Sequence, residues 1–153
     1  MIRAYEVTDV EEVLGVWARA SALAHPFLGQ AFLESERRTI REAYLPNAET
    51  WVWEAAGHVE GFISLLGHEV GGIFVDPDVQ RSGIGRALMG HARALRGELE
   101  VEVFARNLLG RAFYAALGFE VMHEAHHAET GFDVLRLRLP ARRPVQPSGD
   151  DDG

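Results

Sequence analysis

The sequence predicts a mixed α/β domain, one sheet with both antiparallel and parallel neighbours and with helices on both of its faces. Two patterns carry that prediction. The first half reads as a strand, two helices and three closely spaced strands, which antiparallel hairpins join; the second half alternates helix and strand, which implies a parallel pair reached through a crossover. The chain is also long enough for one proper core, since 153 residues with 47% apolar content sit near the common size of a single domain.

Residues 2–7 (IRAYEV) predict the first strand. Thr8 or Asp9 then caps a helix whose apolar positions Val10, Val13, Leu14 and Trp17 recur at helical spacing, and which should close near Ala20. "SALAHPFLGQ" is a loop broken by Pro26 and Gly29, and the charged stretch of about 32–44 predicts a second helix. Strands over 50–56, 60–67 and about 69–75 follow, with a Gly-His-Val-Glu-Gly turn after the first; Trp51 and Trp53 alternate with Val52 and read as packing. Ile84, Leu88, Ala92 and Leu95 line one face of a helix over about 84–96, which Gly97 stops. "ELEVEVF" alternates strictly, placing a strand at 99–104 with Leu99, Val101 and Val103 on one face and Glu98, Glu100 and Glu102 on the other. That acidic face is either open to water or borders a cleft. A helix opens at or just after Asn107 and ends at Gly118, and strands at 119–122 and 132–139 flank a histidine-rich connection. From Pro140 the chain turns to Pro, Gly, Ser and three terminal aspartates, so the prediction is a domain over 1–139 and a disordered tail over 140–153.

Composition narrows the function. With no cysteine, disulfides, thiolate metal sites and cysteine nucleophiles are excluded. A formal charge of -8 argues against nucleic acid as a partner and favours a cationic substrate. No apolar run reaches the ~18 residues of a membrane span and the first residues lack a secretory pattern, so the expectation is a cytoplasmic protein with no membrane partner. His123, His126 and His127 fall on a predicted strand end and loop without a metal motif nearby, so no metal is expected.

One stretch stands apart from the bland helices and strands. "VDPDVQRSGIGRALMGHA", residues 75–92, runs from a strand through a basic, glycine-broken turn into a helix. At Gln80-Arg81-Ser82-Gly83-Ile84-Gly85-Arg86 the glycines let the backbone approach a ligand, and the helix start leaves N–H groups without partners. The helix dipole and the two arginines add positive charge, so a phosphate or pyrophosphate is the natural guest. The spacing fits neither a P-loop nor a dinucleotide fingerprint, whose third glycine would fall at Leu88.

This turn resembles the acetyl-coenzyme A pyrophosphate loop of the GNAT superfamily of N-acetyltransferases, with Gln80, Gly83 and Gly85 in the family's spacing after Val75-Asp76-Pro77. "NLLGRAFYAALGF", Asn107 to Phe119, resembles the family's second signature, with one extra residue after the asparagine. The resemblance covers about residues 2–139 and implies a mostly antiparallel sheet whose parallel central pair splays apart. It implies N-acetyl transfer from acetyl-CoA to a primary amine of a small molecule or protein, with a non-catalytic acetyl-CoA sensor as the alternative. Oligomeric state stays open, a homodimer included.

The resemblance also assigns roles. Backbone N–H groups from Arg81 to Arg86 would hold the pyrophosphate, and the strand edge at Ile73, Phe74 and Val75 would pair with the pantetheine arm. Tyr114 matches the family's general acid, against the alternative of a core aromatic beside Phe113. Asn107 matches a coenzyme contact, or caps its helix. Two carboxylates compete as general base: Glu102, twelve positions before the tyrosine, and Glu69, eleven before Gln80. His25, on a loop that borders the acceptor pocket in this family, is a candidate for substrate binding or for the base, or packs on Phe27.

Overall fold

The computed structural model describes residues 1–142; residues 143–153, most of the predicted tail, lie outside the described residues. Seven strands form one sheet: β1 (Ile2–Ala4), β2 (Glu49–Ala55), β3 (His58–Leu66), β4 (Glu69–Val75), β5 (Leu99–Phe104), β6 (Glu120–His127) and β7 (Phe132–Leu139). Their order is β1-β2-β3-β4-β5-β7-β6, and every neighbouring pair is antiparallel except β4 and β5. Four α-helices complete the fold: α1 (Val10–Ala24), α2 (Gln30–Thr39), α3 (Ile84–Arg96) and α4 (Leu108–Leu117). None of these helices is long and apolar enough to cross a membrane.

Strand alternation sends side chains to two separate cores. On one face Val13, Val16 and Trp17 of α1 meet Val52, Val59 and Phe62 of the sheet. On the other, Leu88, Met89 and Ala92 of α3 and Tyr114 of α4 meet Ile63, Val70, Val101 and Leu137. Trp51 and Trp53 point to the α3 side, where Trp51 meets the His91 ring edge-on at 4.4 Å, so the tryptophans are packing residues.

Several boundaries differ from the sequence prediction, each for a local reason. The first strand stops at Ala4 instead of residue 7, because a 3₁₀ turn over Val7–Asp9 takes the chain off the sheet. Asp9 fixes that turn by accepting from the Glu6 N–H at 2.8 Å and from both ends of the Arg3 fork at 2.8 and 2.9 Å. α1 continues past Ala20 to Ala24, since Ala20 and Ser21 are still buried and no breaker occurs before Pro26. The second helix starts at Gln30 and ends at Thr39, where a π-helical turn over Ile40–Tyr44 inserts one residue and carries Leu45 into the core. The predicted histidine-rich connection is largely strand: β6 runs to His127 and pairs with β7 through His127 opposite Phe132. Its residues are exposed at the sheet edge, so no apolar alternation marked it.

The Arg3–Asp9 pair yields a stability prediction. Asp9 is 6% exposed and the Arg3 fork holds its carboxyl below the usual carboxylate range. A lowered folded pKa stabilises above the ordinary value near 3.8, and that contribution disappears as pH falls through the folded value. Asp9→Asn is expected to cost about 1.5–3 kcal/mol at pH 7, with the difference from the parent shrinking below pH 3.8 in urea unfolding curves.

Candidate active site

The cleft originates in the sheet itself. β4 and β5 pair in parallel only at Glu69 with Glu100 and Val70 with Val101, and beyond these positions the strands diverge. A bulge in β4 accompanies the divergence: across β3, Ser64 faces Gly72 while Leu65 faces Val70, leaving Gly71 as the extra residue. A larger residue there would have to displace Tyr44, because a Cβ on Gly71 would lie 1.2 Å from the Tyr44 hydroxyl. Between the parted strands opens a cleft of about 760 Å³, lined by Ile73, Phe74 and Val75 on one wall and Val101 to Phe104 on the other. The facing edge of β4 past the bulge is free of ladder partners on the β5 side, so its N–H and C=O groups can pair with an extended ligand. A second depression of about 620 Å³ beside α1, lined by Glu11, Glu12, Glu60 and Asp76 among others, contains none of the predicted site residues.

The glycine turn closes one end of the cleft. Asp76 caps a 3₁₀ turn over Pro77–Val79 by accepting from the Asp78 N–H at 3.2 Å, and the Gln80 side-chain amide donates to the Val75 carbonyl at 3.3 Å. Ser82 donates its hydroxyl to the Val79 carbonyl. Arg81 then adopts a left-handed conformation at φ +69°, and Gly83 another at φ +89° as the N-cap of α3. The N–H groups that open α3 have no intrahelical partner, and left-handed residues beside them turn the backbone into a concave anion cradle. Gln80, Arg81, Gly83, Gly85 and Arg86 line the cleft. Ser82 and Ile84 do not; the first braces the turn and the second is buried in the core, so any ligand role for them is through the main chain. The turn has the free donors, the positive charge and the small residues that a pyrophosphate needs.

The turn's backbone makes Gly83 a test of the cradle. Gly83→Ala forces a side chain into the left-handed region at a cost of about 1–2 kcal/mol. The expected result is roughly a tenfold loss of coenzyme A affinity by calorimetry, about 1.4 kcal/mol.

The chemical side chains approach the same cleft from different elements. Tyr114 on α4 is 7% exposed, packs edge-on with Phe113 and Phe119 at 5.4 and 5.3 Å, and lines the cleft; burial pushes its phenol pKa up. Glu102 also lines the cleft, and among the described residues it has no ion-pair partner. Glu69 reaches the cleft wall as well, but its carboxylate accepts from Arg136 at 2.9 Å, and Arg136 also holds Glu100 at 3.0 Å. Glu98 pairs with Arg138 at 2.8 Å. The acidic face of β5 therefore divides, two glutamates bound by arginines of β7 and Glu102 turned to the cleft.

His25 follows α1 directly. Its ring sits edge-on to Phe27 at 5.9 Å and Phe104 at 5.4 Å, and burial pushes its pKa down to about 4. Asn107 caps α4 by accepting from the Gly110 N–H at 2.8 Å, and its other side-chain atom meets His25 at 3.2 Å. Both Asn107 atoms are thereby engaged within the protein. His123, His126 and His127 stand on an edge strand, and no cluster of metal-binding side chains occurs among the described residues.

Sequence reasoning missed Phe32, Glu36 and Phe104, which line the cleft at the end where His25 stands. Phe32 and Glu36 lie in a run of charged and polar residues that reads as a solvated helix, and Phe104 closes a strand whose other apolar residues are core. Only the fold brings them together.

Comparison with known proteins agrees with this geometry. A family model described as an acetyltransferase (GNAT) domain matches residues 46–121. The chain is 34% identical over 141 residues to the peptidyl-lysine N-acetyltransferase YiaC of Escherichia coli, covering 92% of this chain and 97% of that one. The chain belongs to the GNAT acetyltransferase family. The peptidyl-lysine N-acetyltransferase YjaB of the same bacterium is 32% identical, over 90% of this chain and 94% of its own. The solution structure of apo YjaB superposes with a TM-score of 0.81 at 29% identity, over 90% of this chain and 95% of that one. The splayed parallel pair, the seven-stranded sheet and the helices on both faces are thus the GNAT fold, and the protein is an N-acetyltransferase.

Proposed function

We propose that the protein transfers the acetyl group of acetyl-CoA to the ε-amino group of a lysine side chain in a protein. The observation that carries this reading is a single cleft that holds an anion cradle, a free strand edge, a buried phenol and an unpaired carboxylate. The names of YiaC and YjaB support the acceptor class. So do Glu36 and Glu102 with Phe32 and Phe104, which suit a cationic group on an aliphatic stem.

Acetyl-CoA supplies an activated thioester, and everything else falls to the chain. The cradle from Arg81 to Arg86 holds the pyrophosphate through main-chain N–H groups, and Ile73 to Val75 pair with the pantetheine arm and aim an N–H at the thioester oxygen. Glu102 accepts, directly or through water, the proton that the lysine ammonium must lose before its nitrogen can attack; as the C–S bond breaks, the nitrogen sheds a second proton to water and the thiolate takes one up, leaving the amide and free coenzyme A. Tyr114 stands at the leaving sulfur. Burial keeps its hydroxyl protonated, and because its pKa exceeds the ~8.5 of a thiol, it stabilises the departing thiolate chiefly as a hydrogen-bond donor. Glu69, bound to Arg136, shapes the strand start instead.

The test is a coenzyme-release assay with three acceptors: an N-terminally blocked peptide with one lysine, an unblocked peptide without lysine, and a diamine. The expected result is turnover of the blocked lysine peptide, with the acetyl group on the side chain by mass spectrometry. Turnover confined to the α-amine or the diamine would refute the acceptor class.

A further inference from the structure

The loop that follows α1, with the start of α2, is tied to the rest of the protein mainly by apolar contacts. From residue 25 to residue 36, one side-chain hydrogen bond among the described residues reaches another element: the contact between His25 Nε2 and Asn107 Nδ2 at 3.2 Å. Its remaining ties are apolar: His25 and Phe27 against Phe104 at 5.4 and 5.6 Å, Phe27 against Phe132 at 5.0 Å, Phe32 against His127 at 6.2 Å, and Leu33 against the core on the α1 face. Yet this segment carries Phe32 and Glu36, one wall of the cleft.

The direction of that hydrogen bond follows from its neighbours. A backbone N–H can only donate, so the Asn107 atom facing the Gly110 N–H at 2.8 Å is the carbonyl oxygen. The atom facing His25 is then the amide nitrogen, which can only donate as well. His25 Nε2 must accept, so the ring proton sits on Nδ1 and the imidazole is neutral. The titratable groups that share its cleft are Glu36 on α2, Glu69 on β4, Arg81 and Arg86 of the glycine turn and α3, Glu102 on β5, Tyr114 on α4 and His127 on β6. None of them forms an ion pair with His25; among the described histidines only His58 and His126 come within ion-pair distance of a carboxylate. Nothing charged draws a proton onto the ring, and burial disfavours the imidazolium.

We infer that His25 is a positioning residue rather than the general base: its neutral ring accepts from the N-cap of α4 and so registers the acceptor wall of the cleft against the helix that carries Tyr114. The chain of contact is short. Asn107 opens α4, Tyr114 lies two turns further along it, and His25 sits at the root of the segment that presents Phe32 and Glu36. Loss of this link frees the acceptor wall while leaving the coenzyme cradle, which belongs to β4 and α3, in place. The inference rests on the acetyl-transfer reading above only for its kinetic consequence; the ring's tautomer can be measured without any turnover.

Two measurements decide it. In long-range proton–nitrogen correlation spectra of the labelled protein, His25 is expected to show the Nδ1–H tautomer from pH 8 to pH 5 without titrating. Asn107→Asp keeps the cap oxygen but turns the donor into a second acceptor, so His25 is then expected to take a proton on Nε2 with a midpoint above the ordinary ~6.5. An Nε2–H tautomer in the parent protein, or titration near 6.5, overturns the inference. In kinetics with the blocked lysine peptide, His25→Phe keeps the aromatic packing and loses the acceptor atom. The expected effect is about a tenfold rise in the peptide's KM with kcat within twofold, the pH profile unchanged and coenzyme A affinity intact. His25→Gln, whose carbonyl can accept from Asn107, should recover most of the KM. A fall in kcat of about a hundredfold in both variants, with loss of the acidic limb of the pH profile, marks a general base and sinks the idea. A parent protein that leaves the lysine peptide unacetylated refutes the acceptor reading, and the tautomer measurement still decides the role of His25.

Discussion

Tyr114→Phe is expected to lower kcat by about 10²–10³-fold while acetyl-CoA binding and thermal unfolding stay close to those of the parent. The separation of these effects follows from the site. The ring is buried between Phe113 and Phe119, and phenylalanine preserves those edge-on contacts. No described residue hydrogen-bonds to the hydroxyl, so its removal leaves no protein partner unsatisfied. What disappears is a protonated donor facing the cleft. The raised pKa keeps that donor protonated beyond pH 10, so any alkaline fall in the parent's rate comes from another group. Calorimetry with acetyl-CoA alongside single-turnover rates makes the comparison. A rate within threefold of the parent would return Tyr114 to the status of a core aromatic.

The second large effect distinguishes the two carboxylates. Glu102→Gln is expected to reduce kcat/KM for the lysine peptide by about 10²-fold at pH 7, because the acceptor ammonium loses its proton sink. The loss should shrink toward alkaline pH, where the amine, with an ordinary pKa of ~10.4, increasingly sheds the proton unaided. Glu69→Gln removes only an ion pair that is 42% exposed on the glutamate side, worth at most ~1 kcal/mol, and should change kcat/KM by no more than a few-fold. A pH–rate series on both variants is the measurement. Equal losses, or a larger one at Glu69, would move the base to the strand start.

Some of the site was legible from local patterns. The glycine turn announced itself because a strand, two glycines and a helix start are consecutive in the chain, and the anion cradle they form is made of backbone. Its motif singled out Tyr114, which the fold places in the wall of the cleft. The strict alternation of "ELEVEVF" raised the right question about Glu98, Glu100 and Glu102, but alternation gives a face and not its surroundings. Arg136 and Arg138, more than thirty residues away in sequence, decide which of the three glutamates stays free. His25 shows the same limit. Next to a proline in a loop it reads equally as a base, a substrate contact or a packing residue, and its hydrogen bond exists only because Asn107 arrives from the opposite half of the chain.

The boundaries that moved have a common cause. β6 carries Glu120 to His127 on an exposed edge, where its strand character comes from the ladder with β7 and not from its own side chains. α1 outlasted its apolar pattern because Ser21 is buried against neighbours that periodicity does not know. By itself, then, the sequence determined the class of fold, the order of its elements and the glycine turn that opens α3, since each depends on residues close together in the chain. The tertiary structure alone decided how far β4 and β5 separate, which carboxylate faces the cleft and which histidine meets the N-cap of α4. Those depend on the Gly71 bulge, on Arg136 and on Asn107, contacts between segments that meet only once the sheet is assembled.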